Sequence, residues 1–175
     1  MIYYSDLIDA LKHVASKFPN PWQLICVGRD DGPLSQLRGK TKRLGLQDNV
    51  VWLGPRSDIP DLLCAGDIAV LPSHEEGMSN VVLESMAARL PTVTTKVGGN
   101  TDMVVHGKTG LVVPPKAPCK LGHAIVTLAT DKRQRTYMGN AGRQRVEDNF
   151  SLERCIKGYH EVYLSFHTNS AINQE

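Results

Sequence analysis

"VVWLGPRSDIPDLLCAGDIAVLPS", Val50 to Ser73, places two short apolar runs on either side of a brief helical pattern. "VVWLG" (50–54) stops at Gly54-Pro55 and reads as a buried strand, "DIPDLLCAG" (58–66) as a short helix, and "IAVLPS" (68–73) as a second buried strand. Strands joined through a helix run parallel, with a right-handed crossover. The same alternation extends in both directions. Upstream, Leu7, Ile8, Leu11, Val14, Ala15 and Phe18 recur at helical spacing over 5–18, Pro19-Asn20-Pro21 ends that helix, and "WQLICVG" follows as a strand. A further helix is expected over 33–44, ending near Gly45. Downstream come a helix over 80–89, the strand "PTVTTKV" (91–97), a turn at Gly98-Gly99, a helical segment near 101–105 and the strand "GLVVPP" (110–115). Helices over 118–130, 131–148 and 151–166 complete the pattern. Apolar strands separated by helices predict one doubly wound α/β domain, Rossmann-like, with about five parallel strands covered on both faces. The domain is assigned to 1–166, and 167–175 is expected to be a disordered tail.

The 175 residues suit a single domain, and 41% hydrophobic with 22% charged residues is ordinary for a globular protein. A formal charge of +2, dispersed along the chain, nominates no nucleic-acid partner. Cys26, Cys64, Cys119 and Cys155 are far apart and share no metal or disulfide spacing, which predicts free thiols and a cytoplasmic protein. No apolar run approaches the roughly 18–20 residues of a membrane span, although peripheral attachment through another region is compatible with this.

In a doubly wound sheet, ligands bind beyond the carboxyl ends of the strands. One such end runs into "SHEEGMSNVVLESMA" (73–87), where Glu76 and Glu84 enclose a Gly-Met-Ser-Asn turn entering a helix. The amides of Met78, Ser79, Asn80 and Val81 lie at that helix start, where free N–H groups and the helix dipole favour phosphate. Gly77 permits close approach of a ligand to the backbone. Glu84 lies about one turn inside the helix and Glu76 in the loop before it. Carboxylates repel phosphate but accept hydrogen bonds from vicinal hydroxyls, so the pair predicts a nucleotide diphosphate sugar. Glu84 does not stand at the three-residue spacing of a capping box. His74 and Glu76 lack a third ligand at suitable spacing, so no metal is assigned.

The E-x7-E arrangement, with "PSHEEG" before it and "VLESMAARLPTVTTKVGGNTD" after it, resembles the donor-binding, C-terminal domain of retaining glycosyltransferases of the GT-B fold. The resemblance extends from the first helix through "VGRDDGP" and "GKTGLVVPP" to "FSLERCIKGYHEVY". It implies that Glu76 contacts the transferred hexose, that amides around Asn80 and Val81 hold the diphosphate, and that Glu84 holds the ribose. By the same resemblance Arg56 frames the base, and Gly98 and Gly99 form the turn facing the donor. The implied reaction is hexose transfer from a nucleotide diphosphate sugar to the hydroxyl of an acceptor glycan or lipid, without cofactor or metal.

The chain departs from the family in several ways. Family members open this domain with a strand bearing an arginine and then a lysine, preceded by an N-terminal acceptor-binding half. Here neither cation is found, so the chain resembles an excised donor half, expected to be inactive alone and prone to self-association through its open edge. Arg89 stands where the family has a helix-ending glycine, and Asp102 replaces a glutamate and is expected to cap or position the following helix. Two other classes compete. An NAD-dependent oxidoreductase calls for GxGxxG after the first strand, which is lacking. A noncatalytic nucleotide-sugar binding or interaction module fits the same residues.

Overall fold

The computed structural model describes residues 3–30 and 32–172, with side chains through residue 164. Helix α1 (Tyr4–Val14) continues into one 3-10 turn (Ala15–Lys17) and leads to strand β1 (Leu24–Val27). Then follow α2 (Leu34–Arg43), β2 (Val50–Gly54), α3 (Ile59–Ala65), β3 (Ala69–Leu71), α4 (Asn80–Ala87), β4 (Thr92–Thr95), α5 (Asn100–Met103) and β5 (Gly110–Val113). Helices α6 (Pro118–Thr130), α7 (Lys132–Asn149) and α8 (Leu152–Ile172) finish the described chain. Every element matches a segment read from apolar periodicity. The last helix runs past residue 166 to Ile172, so 167–172 of the tail expected over 167–175 are helical, and 173–175 lie outside the described residues.

The strands are all parallel, but they form two sheets rather than the single one expected: β1 pairs with β2, and β3, β4 and β5 pair in that order. The inner edges of β1 and β3 instead flank a cleft of about 1760 Å³, lined on one side by Leu24, Ile25 and Val27 and on the other by Ala69, Val70 and Leu71. Apolar patterning identifies strands and their faces. It does not say which edge meets which, because each strand has two edges and one pattern of side chains.

The larger core gathers Leu7, Ile8, Leu11 and Val14 of α1, Cys26, Val50 and Val93 from the strands, and Leu121, Ile125 and Leu128 of α6. A second cluster joins Leu71, Val82, Met86, Met103 and Val104 under α4 and α5. Strand β4 is buried throughout although three of its four residues are threonine. Its hydroxyls are satisfied: Thr94 donates to Leu71 O (3.3 Å) and Thr95 to Ser73 O (2.5 Å), so β4 is tied to β3 by side chains as well as by the ladder.

Helix α7 ends three other helices. Arg135 donates to Leu128 O and Ala129 O at the end of α6, Arg143 to Ala87 O at the end of α4, and Arg145 to Asp102 O and Met103 O at the end of α5. Guanidinium groups at helix carboxyl ends complete orphan carbonyls and oppose the dipole. The carboxylate of Asp102 makes no capping bond at α5; what α5 offers α7 is the backbone carbonyl of Asp102.

Helix α4 closes in a Schellman turn, with Arg89 N donating to Met86 O (3.0 Å) and Leu90 N to Ser85 O (3.0 Å). Arg89 takes the left-handed conformation there, φ 60. Gly139 of α7 packs on this turn so closely that a Cβ would lie 2.0 Å from Arg89 O. A side chain in the left-handed region costs about 1 kcal/mol. Arg89→Gly is therefore expected to stabilise the fold by about 1 kcal/mol and raise Tm by about 2–4 °C, read by thermal denaturation. Cys26 makes a second prediction. Burial pushes its thiol from 9.0 up to about 12, and burial also raises the neighbouring Tyr4. The unfolded chain loses these protons first, so stability is full below pH 9.0 and falls as pH rises toward about 12. Denaturant midpoints followed across that range should decline, and less steeply in Cys26→Val.

Candidate active site

The loop between β3 and α4 is held from three sides. Ser73, fully buried at the end of β3, donates its hydroxyl to Glu76 Oε2 at 2.9 Å and so orients that half-buried carboxylate. The glycine turn after β4 closes on the next two residues. Gly99 N donates to Gly77 O at 2.8 Å, and Gly98, φ 46, lies so near that a Cβ would stand 1.6 Å from Glu76 O. From α1, Asp6 Oδ2 lies 2.7 Å from His74 Nε2, while Tyr3 stacks on the imidazole with ring centroids 3.5 Å apart.

Behind the glycine turn, buried Asn100 donates through Nδ2 to Thr94 Oγ1 (2.9 Å) and Thr95 O (3.3 Å), anchoring the end of β4. Its Oδ1 has no hydrogen-bond partner among the described residues. Sequence reasoning missed Asp6, Ser73 and Asn100. Asn100, directly after Gly98-Gly99, carried a positional signal; Asp6 carried none, as an acid on the polar face of an amphipathic helix.

The loop delivers Ser79 to the N-cap of α4 with an extended backbone (φ −89, ψ 113) and no side-chain cap. Ser79 O accepts from Val82 N and Leu83 N, so the first turn forms while the amides of Asn80 and Val81 find no acceptor within the helix. Met78, Asn80 and Val81 are exposed beside them. Glu84, one turn on, is exposed, and its carboxylate has no hydrogen bond or ion pair among the described residues.

Val81, Glu84 and Arg56 line the same cleft between the two sheets. Arg56 is exposed and holds Asp58 in a two-pronged ion pair, Nε to Oδ1 at 2.8 Å and Nη2 to Oδ2 at 2.6 Å. Hydrogen bonding to Arg56 lowers the Asp58 carboxyl below its usual range. The residues singled out from sequence thus fall into two adjoining sets bridged by Ser79 and Asn80. Arg56, Val81 and Glu84 face the cleft, while Glu76, Gly77 and Met78 pack with Gly98 and Gly99 at the loop.

The chain and its fold have relatives among known proteins. The chain is 30% identical over 159 residues to N-acetyl-alpha-D-glucosaminyl L-malate synthase of Bacillus anthracis, covering 90% of this chain and 41% of the relative. It is 31% identical to the capsular polysaccharide biosynthesis glycosyltransferase CapM of Staphylococcus aureus, over 92% of this chain and 42% of that one. The chain therefore spans about two fifths of the length of these curated relatives. Among solved structures, the C-terminal domain of a glycosyl transferase group 1 family protein, LpcC from Francisella tularensis, superposes with a TM-score of 0.77 at 26% identity, covering 85% of this chain and 80% of that one. HepE from Anabaena, solved in complex with UDP, superposes with a TM-score of 0.84 at 28% identity, covering 92% of this chain and 44% of that one. The fold is that of the C-terminal half of a GT-B glycosyltransferase. A model of the family described as Glycosyl transferases group 1 matches residues 4–131, and the chain belongs to that family.

Proposed function

We propose that the chain is the donor-binding half of a retaining glycosyltransferase, which moves a hexose from a nucleotide diphosphate sugar to the hydroxyl of a glycan or lipid acceptor. The observation that carries this reading is Glu84: a carboxylate without a partner among the described residues, one turn from the open amides of Asn80 and Val81, in a cleft shared with Arg56. The amides donate to the diphosphate oxygens, and Glu84 accepts from the ribose hydroxyls. Arg56 flanks the base while remaining bound to Asp58. Glu76, oriented by Ser73, meets the hexose. The bound UDP of HepE and, in a further HepE structure at 28% identity, bound UDP-glucose support a uridine nucleotide as the first donor to test.

The chemical task assigned to these groups is electrostatic. Negative charge grows on the departing diphosphate as the bond to the sugar breaks, and the N-terminal amides of α4 are aligned before that charge appears. Rigid packing of Gly98 and Gly99 against Glu76 and Gly77 keeps the loop in place through the step. No metal and no protein nucleophile are assigned. The acceptor is assigned to the part of the longer enzyme that the chain does not span, and turnover is expected only when that part is supplied. Exposed free thiols at Cys64, Cys119 and Cys155 support a cytoplasmic enzyme, and no helix among the described residues is long and apolar enough to cross a membrane.

The two carboxylates should be separable by ligand. Glu84→Gln is expected to weaken UDP and UDP-glucose alike by about 1.5–3 kcal/mol, the scale of a hydrogen bond to a charged group. Glu76→Gln should weaken UDP-glucose and leave UDP nearly unchanged. Calorimetric titration of both variants with both ligands, read as ratios to the unmutated chain, checks this. Equal losses for both ligands at Glu76, or no loss at Glu84, would remove the assignment.

A further inference from the structure

Neighbouring residues of the loop after β3 are held by different parts of the fold. Ser73 is tied to the sheet and the site: its hydroxyl donates to Glu76 Oε2 (2.9 Å), and its carbonyl accepts from the Thr95 hydroxyl of β4. His74, one peptide unit on, is tied to α1. Its Nε2 lies 2.7 Å from Asp6 Oδ2, and its ring stacks on Tyr3 with centroids 3.5 Å apart. An ionised carboxylate only accepts, so the imidazole supplies the proton of this bond. Tyr3 N also donates to Pro72 O (3.2 Å), so the start of α1 grips the residues on both sides of Ser73.

Helix α1 does not need Asp6 for its own place. Leu7, Ile8, Leu11 and Val14 are each at most 3% exposed and seat it in the larger core. The side chains of His74 and Asp6 are 13% and 24% exposed, and an ion pair drawn that far from water returns little net stability after desolvation. What the pair fixes is position. Asp6, Pro72, Thr95 and Lys116 border a cavity of about 10 Å³, room for one water at most. The two clasps, Asp6 on His74 and Thr95 on Ser73, therefore share a wall, and close packing transmits a shift of either to Ser73, whose hydroxyl sets the Glu76 carboxylate.

We infer that, given the assignment of Glu76 to the hexose, Asp6 is a positioning residue for that sugar, acting through His74 and Ser73. Its own carboxylate is occupied by the imidazole. The donor site thus reaches into the first turn of α1, and discrimination between a nucleotide and its sugar conjugate depends on a helix that carries none of the groups assigned to the donor.

The test compares single variants of the 175-residue chain: Asp6→Ala, His74→Phe, His74→Gln and Asp9→Asn. Phenylalanine keeps a ring to stack on Tyr3 and loses the N–H, whereas glutamine loses the ring and keeps a side-chain N–H at the reach of Nε2. Asp9→Asn is the control, since Asp9 lies on the same helix but pairs with Lys40 of α2 (2.6 Å). Calorimetric titration with UDP and UDP-glucose gives the ratio of the two affinities. Amide exchange at Gly99, whose N–H is held by Gly77 O, reports the loop without ligand. Asp6→Ala and His74→Phe should weaken UDP-glucose about five- to tenfold and hold UDP within about twofold. They should also speed Gly99 exchange by about fivefold or more, with Val93 inside the β3-β4-β5 sheet unchanged. His74→Gln and Asp9→Asn should stay within about twofold of the unmutated chain in every readout. If Asp6→Ala fails to fold, the two His74 variants carry the same expectation. Equal losses for both ligands, His74→Gln behaving as His74→Phe, or unchanged Gly99 exchange in the folded variants overturns the inference. Should the unmutated chain bind neither ligand, the donor assignment itself falls, and Gly99 exchange alone decides whether Asp6 holds the loop.

Discussion

The contact between Gly98 and Glu76 O is the constraint on which the site depends. With no Cβ tolerated at 1.6 Å, the turn after β4 and the loop after β3 lie backbone to backbone, and the carboxylate loop cannot drift without moving the strand that supports it. Everything downstream inherits that placement. Ser79 arrives at the N-cap, the first turn of α4 points its open amides outward, and Glu84 follows one turn later. The far end of α4 is fixed as firmly, by the left-handed Arg89 turn, the close approach of Gly139 and the guanidinium of Arg143. A helix of eight residues has little stability of its own; pinned at both ends it becomes a rigid mount.

Most of the fold was legible in the sequence because it rests on periodicity. The apolar stripe of α1, the short run "VVWLG" and the threonine-rich "PTVT" each find their element within a few residues. The pairing of the strands was not legible. Ile25 reads as a core residue by pattern, yet it is 44% exposed and lines the cleft, and only three-dimensional placement shows which edge of β1 meets β2. The candidate site divides the same way. Glu76, Glu84 and the glycines stand out through spacing, since a strand end, a glycine and a helix start are local signals. Their supports are distant in sequence: Asp6 meets His74 across 68 positions, and Arg145 meets Met103 across 42. Long-range polar contacts leave no periodic trace in a single chain.

Family membership and the donor reading rest on different grounds. The superposition with other group 1 glycosyltransferases concerns the arrangement of strands and helices, whereas the donor reading concerns a carboxylate, two amides and an arginine at one strand-end cleft. The same scaffold serves many chemistries, so function has to be argued from the groups at the site.

The arginines of α7 alter how the surface charge should be understood. The helix contains Lys132, Arg133, Arg135, Arg143 and Arg145, a density of cations that in a linear reading suggests a track for polyanions. Three of the five are turned inward to the carbonyl ends of α6, α4 and α5. They act as rivets between layers, and the electrostatic footprint that solvent meets is correspondingly smaller than the count of basic residues. Exchanging any of the three for lysine would keep the formal charge and lose the planar, forked donor that reaches these carbonyls. Charge-conserving drift along this helix is therefore structurally unequal: Lys132 and Arg133 are interchangeable in sign alone, whereas at Arg135, Arg143 and Arg145 shape matters as much as sign.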